Sequence, residues 1–135
     1  MSHLYVLPHH KIPDKIPSEN ACPLLCAGAT VWEPICNYVK PGYNVGISSI
    51  GGLGTFAVKL AHIMGANVVA ISSSPDKEAA IKNIGANKFI VSSNKDDMMA
   101  AARTLDVIID TCPVNSNLSS MMDMLKAGSG ASIMM

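Results

Sequence analysis

A glycine-rich run follows a short apolar segment in the first half of the chain. The stretch VGISSIGGLGTFAVKL places Gly51 and Gly54 directly before an apolar pattern of helical period. Gly51 lets the backbone approach a pyrophosphate without a Cβ, and Gly54 lets the helix pack closely on the strand. The N-terminus of that helix would present free N–H groups to the phosphates. We therefore predict a dinucleotide-binding turn made of Ser49, Ile50, Gly51, Gly52, Leu53 and Gly54.

This turn departs from the common dinucleotide fingerprint at one position. The fingerprint G-x-G-x-x-G begins with a glycine, and the residue at that point of this sequence is Ser49. The turn nevertheless follows the first strand of a repeating strand–helix series, which is where the fingerprint belongs. The alternative is a glycine-rich turn that packs a helix on a strand and binds no nucleotide.

Three consecutive serines follow the next apolar segment. A site for NAD places Asp or Glu here, where the carboxylate accepts hydrogen bonds from the ribose. This sequence has Ser72, Ser73 and Ser74, with Lys77 just beyond. Hydroxyl groups donate to a phosphate and a lysine offsets its charge, so the loop favours NADP(H) over NAD(H). The alternative is a polar loop in which Ser74 caps a helix that begins at Pro75.

These candidate residues lie within a series of alternating short strands and helices. The predicted strands are Asn44–Ser49, Asn67–Ile71, Lys88–Val91, Leu105–Asp110 and Ala131–Met134. The predicted helices are Thr55–Met64, with Phe56, Leu60 and Ile63 on one face, followed by Asp76–Ile84, Lys95–Ala102 and Asn117–Leu125. Strands that are apolar throughout belong in a parallel sheet covered on both faces. We therefore predict an α/β fold, a Rossmann-type doubly wound parallel sheet of about five strands.

The first part of the chain has a different composition. Five of the eight prolines lie among the first 34 residues, which indicates extended chain and turns. A helix is predicted from Cys22 up to Pro41-Gly42, with apolar residues at helical spacing: Leu25, Ala29, Trp32, Cys36 and Val39. We therefore divide the chain into an extended lead-in, residues 1–21, and a nucleotide-binding domain, residues 22–135.

The overall composition argues against several classes of partner. The 135 residues include ten basic and ten acidic side chains and 4% aromatic residues, which argues against a nucleic-acid partner. No apolar stretch approaches the ~20 residues of a spanning helix, and the N-terminus lacks a signal peptide, so we expect no membrane association. The four cysteines contain no C-x-x-C pair, and we expect a reducing, cytoplasmic location.

Seven segments carry a resemblance that covers about residues 11 to 128. They are KIPDKIP, ACPLLCAGATVWEP, IGGLGTFAVKLAHIMGA, ISSSPDKE, IGANKFIVSS, LDVIIDT and MLKAG. In this order they resemble the cofactor-binding domain of zinc-dependent medium-chain alcohol dehydrogenases. They are most similar to the cinnamyl alcohol dehydrogenase family, including its mannitol-dehydrogenase-like members. The PLLCAG segment and the serine-rich loop are fairly specific to that subgroup.

The resemblance implies roles for further residues. The cysteine of PLLCAG is a ligand of the catalytic zinc in that family, and it corresponds to Cys26. Thr30 and Thr111 correspond to threonines that lie close to the cofactor in the family. The resemblance also implies NADP(H) as the cofactor, a small alcohol or aldehyde as the substrate, and homodimers formed through this region of the sheet. Met135 is a departure, because a glycine usually follows the fifth strand.

The other zinc ligands of the family have no counterpart here. A catalytic zinc needs three protein ligands, and the resemblance implies that the rest belong to an N-terminal domain that also carries a structural zinc site. We interpret the remaining histidines and cysteines as surface histidines and small buried thiols: His3, His9, His10, His62, Cys22, Cys36 and Cys112. The nine methionines could bind a soft metal, but we favour core packing.

These observations lead to one preferred function and two alternatives. We expect the cofactor-binding portion of an NADP(H)-dependent zinc alcohol dehydrogenase of the cinnamyl type, without turnover as an isolated chain. The alternatives are a nucleotide-binding fragment without catalysis and a non-functional truncated paralogue that folds poorly. The resemblance implies a sheet that is incomplete at its C-terminal edge, so the strand ASIMM predicts self-association.

Overall fold

The computed structural model describes residues 11–112, 118–128 and 131–134, the last of these through its backbone. Five parallel strands form one sheet in the order β3-β2-β1-β4-β5. The strands are β1 (Asn44–Ser48), β2 (Asn67–Ser72), β3 (Lys88–Val91), β4 (Val107–Asp110) and β5 (Ala131–Met134). The predicted Rossmann-type parallel sheet is therefore confirmed. Five residues discussed above lie outside the described ranges: His3, His9, His10, Asn117 and Met135.

Helices precede the sheet and connect its strands. α1 (Ser18–Pro23), a π-helical turn (Leu24–Gly28) and α2 (Ala29–Tyr38) come before β1. The connecting helices are α3 (Gly52–Ile63), α4 (Glu78–Asn83), α5 (Lys95–Ala100) and α6 (Leu118–Met122), and a 3₁₀ turn (Pro75–Lys77) leads into α4. Among the described residues no helix combines the length and apolar character needed to cross a bilayer.

The strand order reverses direction at β1. Val45 of β1 pairs with Val68 of β2 on one side and with Val107 of β4 on the other. The chain therefore builds the sheet outward from β1 in one direction, and then returns to build it in the other direction. In open α/β sheets, ligands bind at this kind of reversal, outside the carboxyl ends of the strands.

Two apolar layers cover the two faces of the sheet. On one face α2 and α3 pack on Val45, Ile47 and Ile109, which are fully buried. On the other face Leu105, Ile108, Met124 and their neighbours form the second layer. Gly46 lies in the central strand, where an added Cβ would be 2.7 Å from Leu105 Cδ1. Each fully buried aliphatic side chain of these layers contributes about 1.5–3 kcal/mol, so the two layers hold the sheet rigid beneath its loops.

The buried face of α2 differs from the one that we predicted. Val39 is buried as expected, but the rest of the predicted stripe is exposed: Leu25, Ala29, Trp32 and Cys36. Val31, Pro34 and Ile35 pack on the sheet instead. The segment is apolar on two sides, so spacing alone does not identify the side that faces the sheet. The buried side is the one that carries the β-branched residues Val31 and Ile35, whose side chains fit the flat surface of the strands.

Several other expectations require correction. α1 begins at Ser18, four positions before the predicted start, and α3 begins at Gly52 inside the predicted turn. Ile63 is 71% exposed, because α3 turns its small residues towards β1 and thereby approaches the sheet closely. Cys22 and Cys36 are exposed and Cys112 is half-buried, so none of the three is a buried thiol. Met121 and Met124 fill the core as expected, whereas Met99 and Met122 are exposed.

Polar side chains pair with one another at the amino end of the sheet. Asp106 accepts hydrogen bonds from Lys126 Nζ at 2.6 Å and from the Asn44 amide at 2.9 Å. The Asn44 side chain donates to the Thr104 carbonyl at 3.0 Å. Partial burial raises the pKa of Asp106, but the two hydrogen bonds and the charge of Lys126 outweigh it, so the pKa lies below its ordinary value. This amino-end network fixes the start of β1 against β4.

Candidate functional site

A cavity of about 1350 Å³ opens at the carboxyl ends of β1, β2 and β3 and continues between α5 and α6. It is lined by the loops that follow β1, β2 and β3, by Cys112 after β4, and by residues of the two helices. The lining residues from the loops are Ser48, Ser49, Ile50, Gly51, Ser72, Ser73, Ser74, Lys77, Ser92, Ser93 and Cys112. The cavity therefore lies at the reversal of strand order, where the fold favours a ligand.

The glycine turn forms one wall of this cavity. Gly51 is the N-cap of α3, and its carbonyl accepts the first helical hydrogen bond, from the Thr55 amide at 2.9 Å. Within the described chain no side chain caps this end of α3. Added Cβ atoms at Gly51 or Gly52 would meet nothing within 4 Å, so the space above the turn is open. The first-turn N–H groups of a twelve-residue helix thus remain available to an anion.

Ser49 occupies the position of the first fingerprint glycine in a conformation that suits glycine. Its φ is +66°, in the left-handed region that residues with a Cβ adopt at a cost of about 1 kcal/mol. Arg103, with a φ of +55°, is the other described residue of this kind, and it lines the far end of the same cavity. The turn therefore has the backbone conformation expected of the glycine fingerprint, although its first position is Ser49 and not glycine.

Gly54 and Thr111 support the turn from behind without lining the cavity. An added Cβ at Gly54 would lie 2.2 Å from the Ser49 carbonyl oxygen, so the close approach of α3 to the turn requires glycine. Thr111 Oγ1 donates to the Ser48 and Ser49 carbonyls, at 3.0 and 2.7 Å. Gly52 and Leu53 also lie outside the lining. Of the predicted turn, Ser49, Ile50 and Gly51 face the cavity directly.

The serine loop forms the second wall. The Ser72 hydroxyl accepts a hydrogen bond from the Ser74 amide at 3.2 Å and so shapes the loop. Ser74 is the N-cap residue of the 3₁₀ turn, but its side chain makes no capping hydrogen bond. The hydroxyls of Ser73 and Ser74 are therefore available to a ligand. Lys77 Nζ donates to the Ile50 carbonyl at 3.0 Å, which ties this loop to the glycine turn.

Cys26 and Thr30 lie away from the cavity. Cys26 is exposed in the π-helical turn, and the Thr30 hydroxyl donates to the Cys26 carbonyl at 2.8 Å. Across the described ranges, no group of three or more His, Cys, Asp or Glu side chains is placed to hold a metal ion. The described residues therefore do not assemble the three protein ligands that a catalytic zinc requires, and Cys26 remains a ligand expected from the resemblance alone.

Sequence reasoning missed the third wall of the cavity. Ser92 and Ser93 follow β3, and Lys95 begins α5, and all three residues line the cavity. A signal was present, because an apolar strand followed by serines and a lysine occurs twice, as ISSSPDK and as VSSNK. The second occurrence has the same position relative to its strand as the predicted phosphate loop.

Comparisons with known proteins agree with this geometry. Residues 52–135 match the family model described as zinc-binding dehydrogenase. A probable mannitol dehydrogenase from Fragaria ananassa is 45% identical over 120 residues, which are 87% of this chain and 33% of that protein. A probable cinnamyl alcohol dehydrogenase from Pinus taeda is 43% identical over 119 residues, which are 86% of this chain and 33% of that protein. The chain thus spans about a third of the length of these relatives.

Solved structures give the same result. A cinnamyl alcohol dehydrogenase from Sorghum bicolor superposes with a TM-score of 0.84 at 35% identity, over 92% of this chain and 42% of that one. The cinnamyl alcohol dehydrogenase from Helicobacter pylori, solved with NADP(H), gives a TM-score of 0.76 at 30% identity, over 90% of this chain and 34% of that one. The parallel sheet, the glycine turn and the family match lead to one conclusion: this chain belongs to the zinc-binding dehydrogenase family.

Proposed function

We propose that this chain is the NADP(H)-binding portion of a zinc-dependent alcohol dehydrogenase of the cinnamyl type. The observation that carries the proposal is the meeting of the glycine turn and the serine loop in one cavity, joined by the Lys77–Ile50 hydrogen bond. A single bound molecule can contact both loops. A dinucleotide with a pyrophosphate and a second phosphate on its ribose has that arrangement of charge.

Each part of the cavity has a separate task in this proposal. The N–H groups at the start of α3 and the open space above Gly51 would hold the pyrophosphate. The hydroxyls of Ser73 and Ser74, with Lys77, would hold the 2′-phosphate. When bound, the nicotinamide would give or accept a hydride, and the substrate would be a small alcohol or aldehyde. Thr111 would keep the turn in shape through the Ser48 and Ser49 carbonyls.

A second candidate is a nucleotide-binding module without zinc chemistry. It is favoured by the position of Cys26, which is exposed and belongs to no group of three or more potential metal ligands in the described part of the chain. The residues described here do not form a zinc site, so we assign the metal no step. A zinc-dependent reduction of cinnamaldehyde by the isolated chain with NADPH would exclude this second candidate.

Calorimetric titration with NADPH and NADH tests the main proposal. We expect NADPH to bind at least about tenfold more tightly than NADH, because two hydroxyls and a lysine meet its additional phosphate. Lys77→Gln is expected to reduce this ratio towards one. Lys82→Gln is the matched control, since Lys82 is exposed, pairs with Glu78 at 2.6 Å and lies outside the cavity. Binding of neither nucleotide would overturn the proposal, and equal binding would overturn the preference for NADP(H).

The free side of β5 supports a further part of the proposal, self-association into homodimers. Within the described sheet, β5 pairs with β4 alone, and its other side has no neighbouring strand. Unpaired strand edges join to other strands readily. Sedimentation equilibrium over a hundredfold range of concentration should show a dimer, and a monomer at every concentration would contradict this expectation.

A further inference from the structure

We infer that the turn between β3 and α5 forms the second half of the 2′-phosphate site, with Ser92, Ser93 and Lys95 beside Ser73 and Ser74. This inference rests on the proposed function and deepens it. It assigns phosphate recognition to the loop after β3, in addition to the serine loop after β2. The ligand chemistry is a ribose phosphate monoester, held between hydroxyls and ammonium groups of two neighbouring loops.

The two loops leave the sheet side by side. Ser72, the last residue of β2, is in register with Val91, the last residue of β3. The next amide along β3, that of Ser92, donates to the Ser72 carbonyl at 2.9 Å. Beyond this hydrogen bond both chains continue into the same cavity as serines. Ser73 and Ser93 therefore begin two adjacent walls of the space that a phosphate at the end of β2 would enter.

The charges of the first loop alone are not sufficient for a phosphate dianion. Asp76 and Glu78 flank Lys77, so these three residues together carry one net negative charge (two acids and one base). Glu78 is paired with Lys82, and Lys77 Nζ already donates to the Ile50 carbonyl. A phosphate with two negative charges would be more stable with a second cation nearby.

Lys95 is the cation that the second loop provides. It lines the cavity, whereas its acidic neighbours Asp96 and Asp97 do not. Asp97 accepts a hydrogen bond from the Asn94 side chain at 2.8 Å, away from the lining. Lys95 and the hydroxyls of Ser92 and Ser93 make no ion pair or hydrogen bond to any residue that the structure describes. These groups are therefore ready to bind a ligand without first breaking an internal contact.

Two nucleotides that differ by the phosphate in question provide the test. Adenosine 2′,5′-bisphosphate carries the 2′-phosphate and adenosine 5′-monophosphate does not, so the ratio of their Kd values reports this subsite. We expect Lys95→Gln to raise the Kd for the bisphosphate about three- to tenfold and to leave that for the monophosphate unchanged. Lys95→Arg should restore most of the affinity, because it keeps the charge. Ser92→Ala combined with Ser93→Ala should weaken the bisphosphate in the same selective way.

Lys88→Gln is the matched control for the loss of one positive charge. Lys88 is exposed at the opposite end of β3 and lies outside the cavity. If Lys95→Gln and Lys88→Gln change the bisphosphate Kd equally, the effect is long-range charge and the inference is overturned, while the proposed function stands. The inference is likewise overturned if Lys95→Gln weakens the binding of both nucleotides equally. If the unaltered chain binds neither nucleotide, the proposed function and this inference both fail.

Discussion

The two ends of the parallel sheet use polar side chains in opposite ways. At the amino end, Asp106, Lys126 and Asn44 satisfy one another through hydrogen bonds of 2.6 and 2.9 Å. At the carboxyl end, the serines after β2 and β3 face a cavity, and most of their hydroxyls have no partner within the described residues. The backbone differs as well, since Ser49 at the carboxyl end has a φ of +66°.

This difference separates stability from binding within one small sheet. Paired groups at the amino end lower the free energy of the folded chain, because each has a hydrogen-bond partner within the protein. Open groups and a strained turn at the carboxyl end contribute little to stability, but they are in place before a ligand arrives. Substitutions at the amino end should therefore change unfolding, and those in the lining of the carboxyl end should mainly change nucleotide affinity.

The largest expected effect is a loss of stability caused by a substitution at the carboxyl end, and it is an exception to the division between stability and binding. Gly54→Ala is at the carboxyl end, yet it should destabilise the fold by about 3 kcal/mol or more, because the new Cβ would lie 2.2 Å from the Ser49 carbonyl oxygen. Backbone oxygen cannot move aside as a flexible side chain can. Urea unfolding followed by circular dichroism measures the loss.

Gly52→Ala is the matched control, two residues earlier in the same turn. Its Cβ would meet nothing within 4 Å, so we expect a change in unfolding free energy of at most about 1 kcal/mol, in the stabilising direction. Equal losses for the two variants would show that the turn is sensitive to any side chain, and not to the close contact at Gly54.

The next effect sharpens the comparison at the amino end. Asp106→Asn should cost about 1–2 kcal/mol near pH 7, since a charge-assisted hydrogen bond to a partly exposed lysine is lost. The pKa of Asp106 is lowered by folding, so its contribution is present above the ordinary value of 3.8 and is lost as the pH falls through the folded pKa. The difference between the two proteins should therefore shrink in acid.

Urea unfolding at several pH values from 7 to about 3 measures this convergence. The affinity for NADPH at pH 7 should stay the same in Asp106→Asn, because Asp106 lies outside the cavity lining and its partner Lys126, which does line the cavity, is not among the residues proposed to hold the nucleotide. A constant difference in stability across the pH range would contradict the role given to the charge. A weaker NADPH complex would contradict the division between the two ends.

The smallest effect concerns the strain at the carboxyl end. Ser49→Gly should stabilise the fold by about 1 kcal/mol, because glycine adopts a φ of +66° without steric cost. Ser49→Ala is the control: it removes the hydroxyl and keeps the Cβ, so it should give no such gain. Thermal unfolding of the three proteins distinguishes strain from side-chain chemistry, and an equal gain in both variants would assign the effect to the hydroxyl.

Much of the fold could be predicted because each strand is short, apolar and bounded by turn residues. β3 and β5 have the bounds that the pattern indicates, and a helix follows each of β1 and β2 as predicted, although α3 begins three residues earlier and α4 two residues later than expected. Which side of a helix is buried was harder to predict from the sequence. In α2 and α3 more than one face is apolar, and the choice of Val31 over Trp32, or of Ala57 over Ile63, depends on how closely the sheet can be approached.

The site divides in a similar way. Ser49, Gly51, Ser73 and Lys77 could be recognised because they belong to local motifs with a known spacing. The loop after β3 carries a similar local pattern, VSSNK, but the pattern alone does not place it beside the serine loop, since that proximity depends on the pairing of β3 with β2. The Lys77–Ile50 hydrogen bond joins residues 27 positions apart and is likewise a property of the folded chain.

The order of the strands also has a consequence for how quickly the chain can fold. β1 meets β2 through a loop of 23 residues (Val45 to Val68), but it meets β4 through one of 62 residues (Val45 to Val107). Closing the longer loop costs about 1 kcal/mol more in chain entropy. We expect β1, α3 and β2 to form the early nucleus and the pairing of β4 with β1 to limit the rate. The cleft at the reversal of strand order is then the last part of the molecule to be assembled.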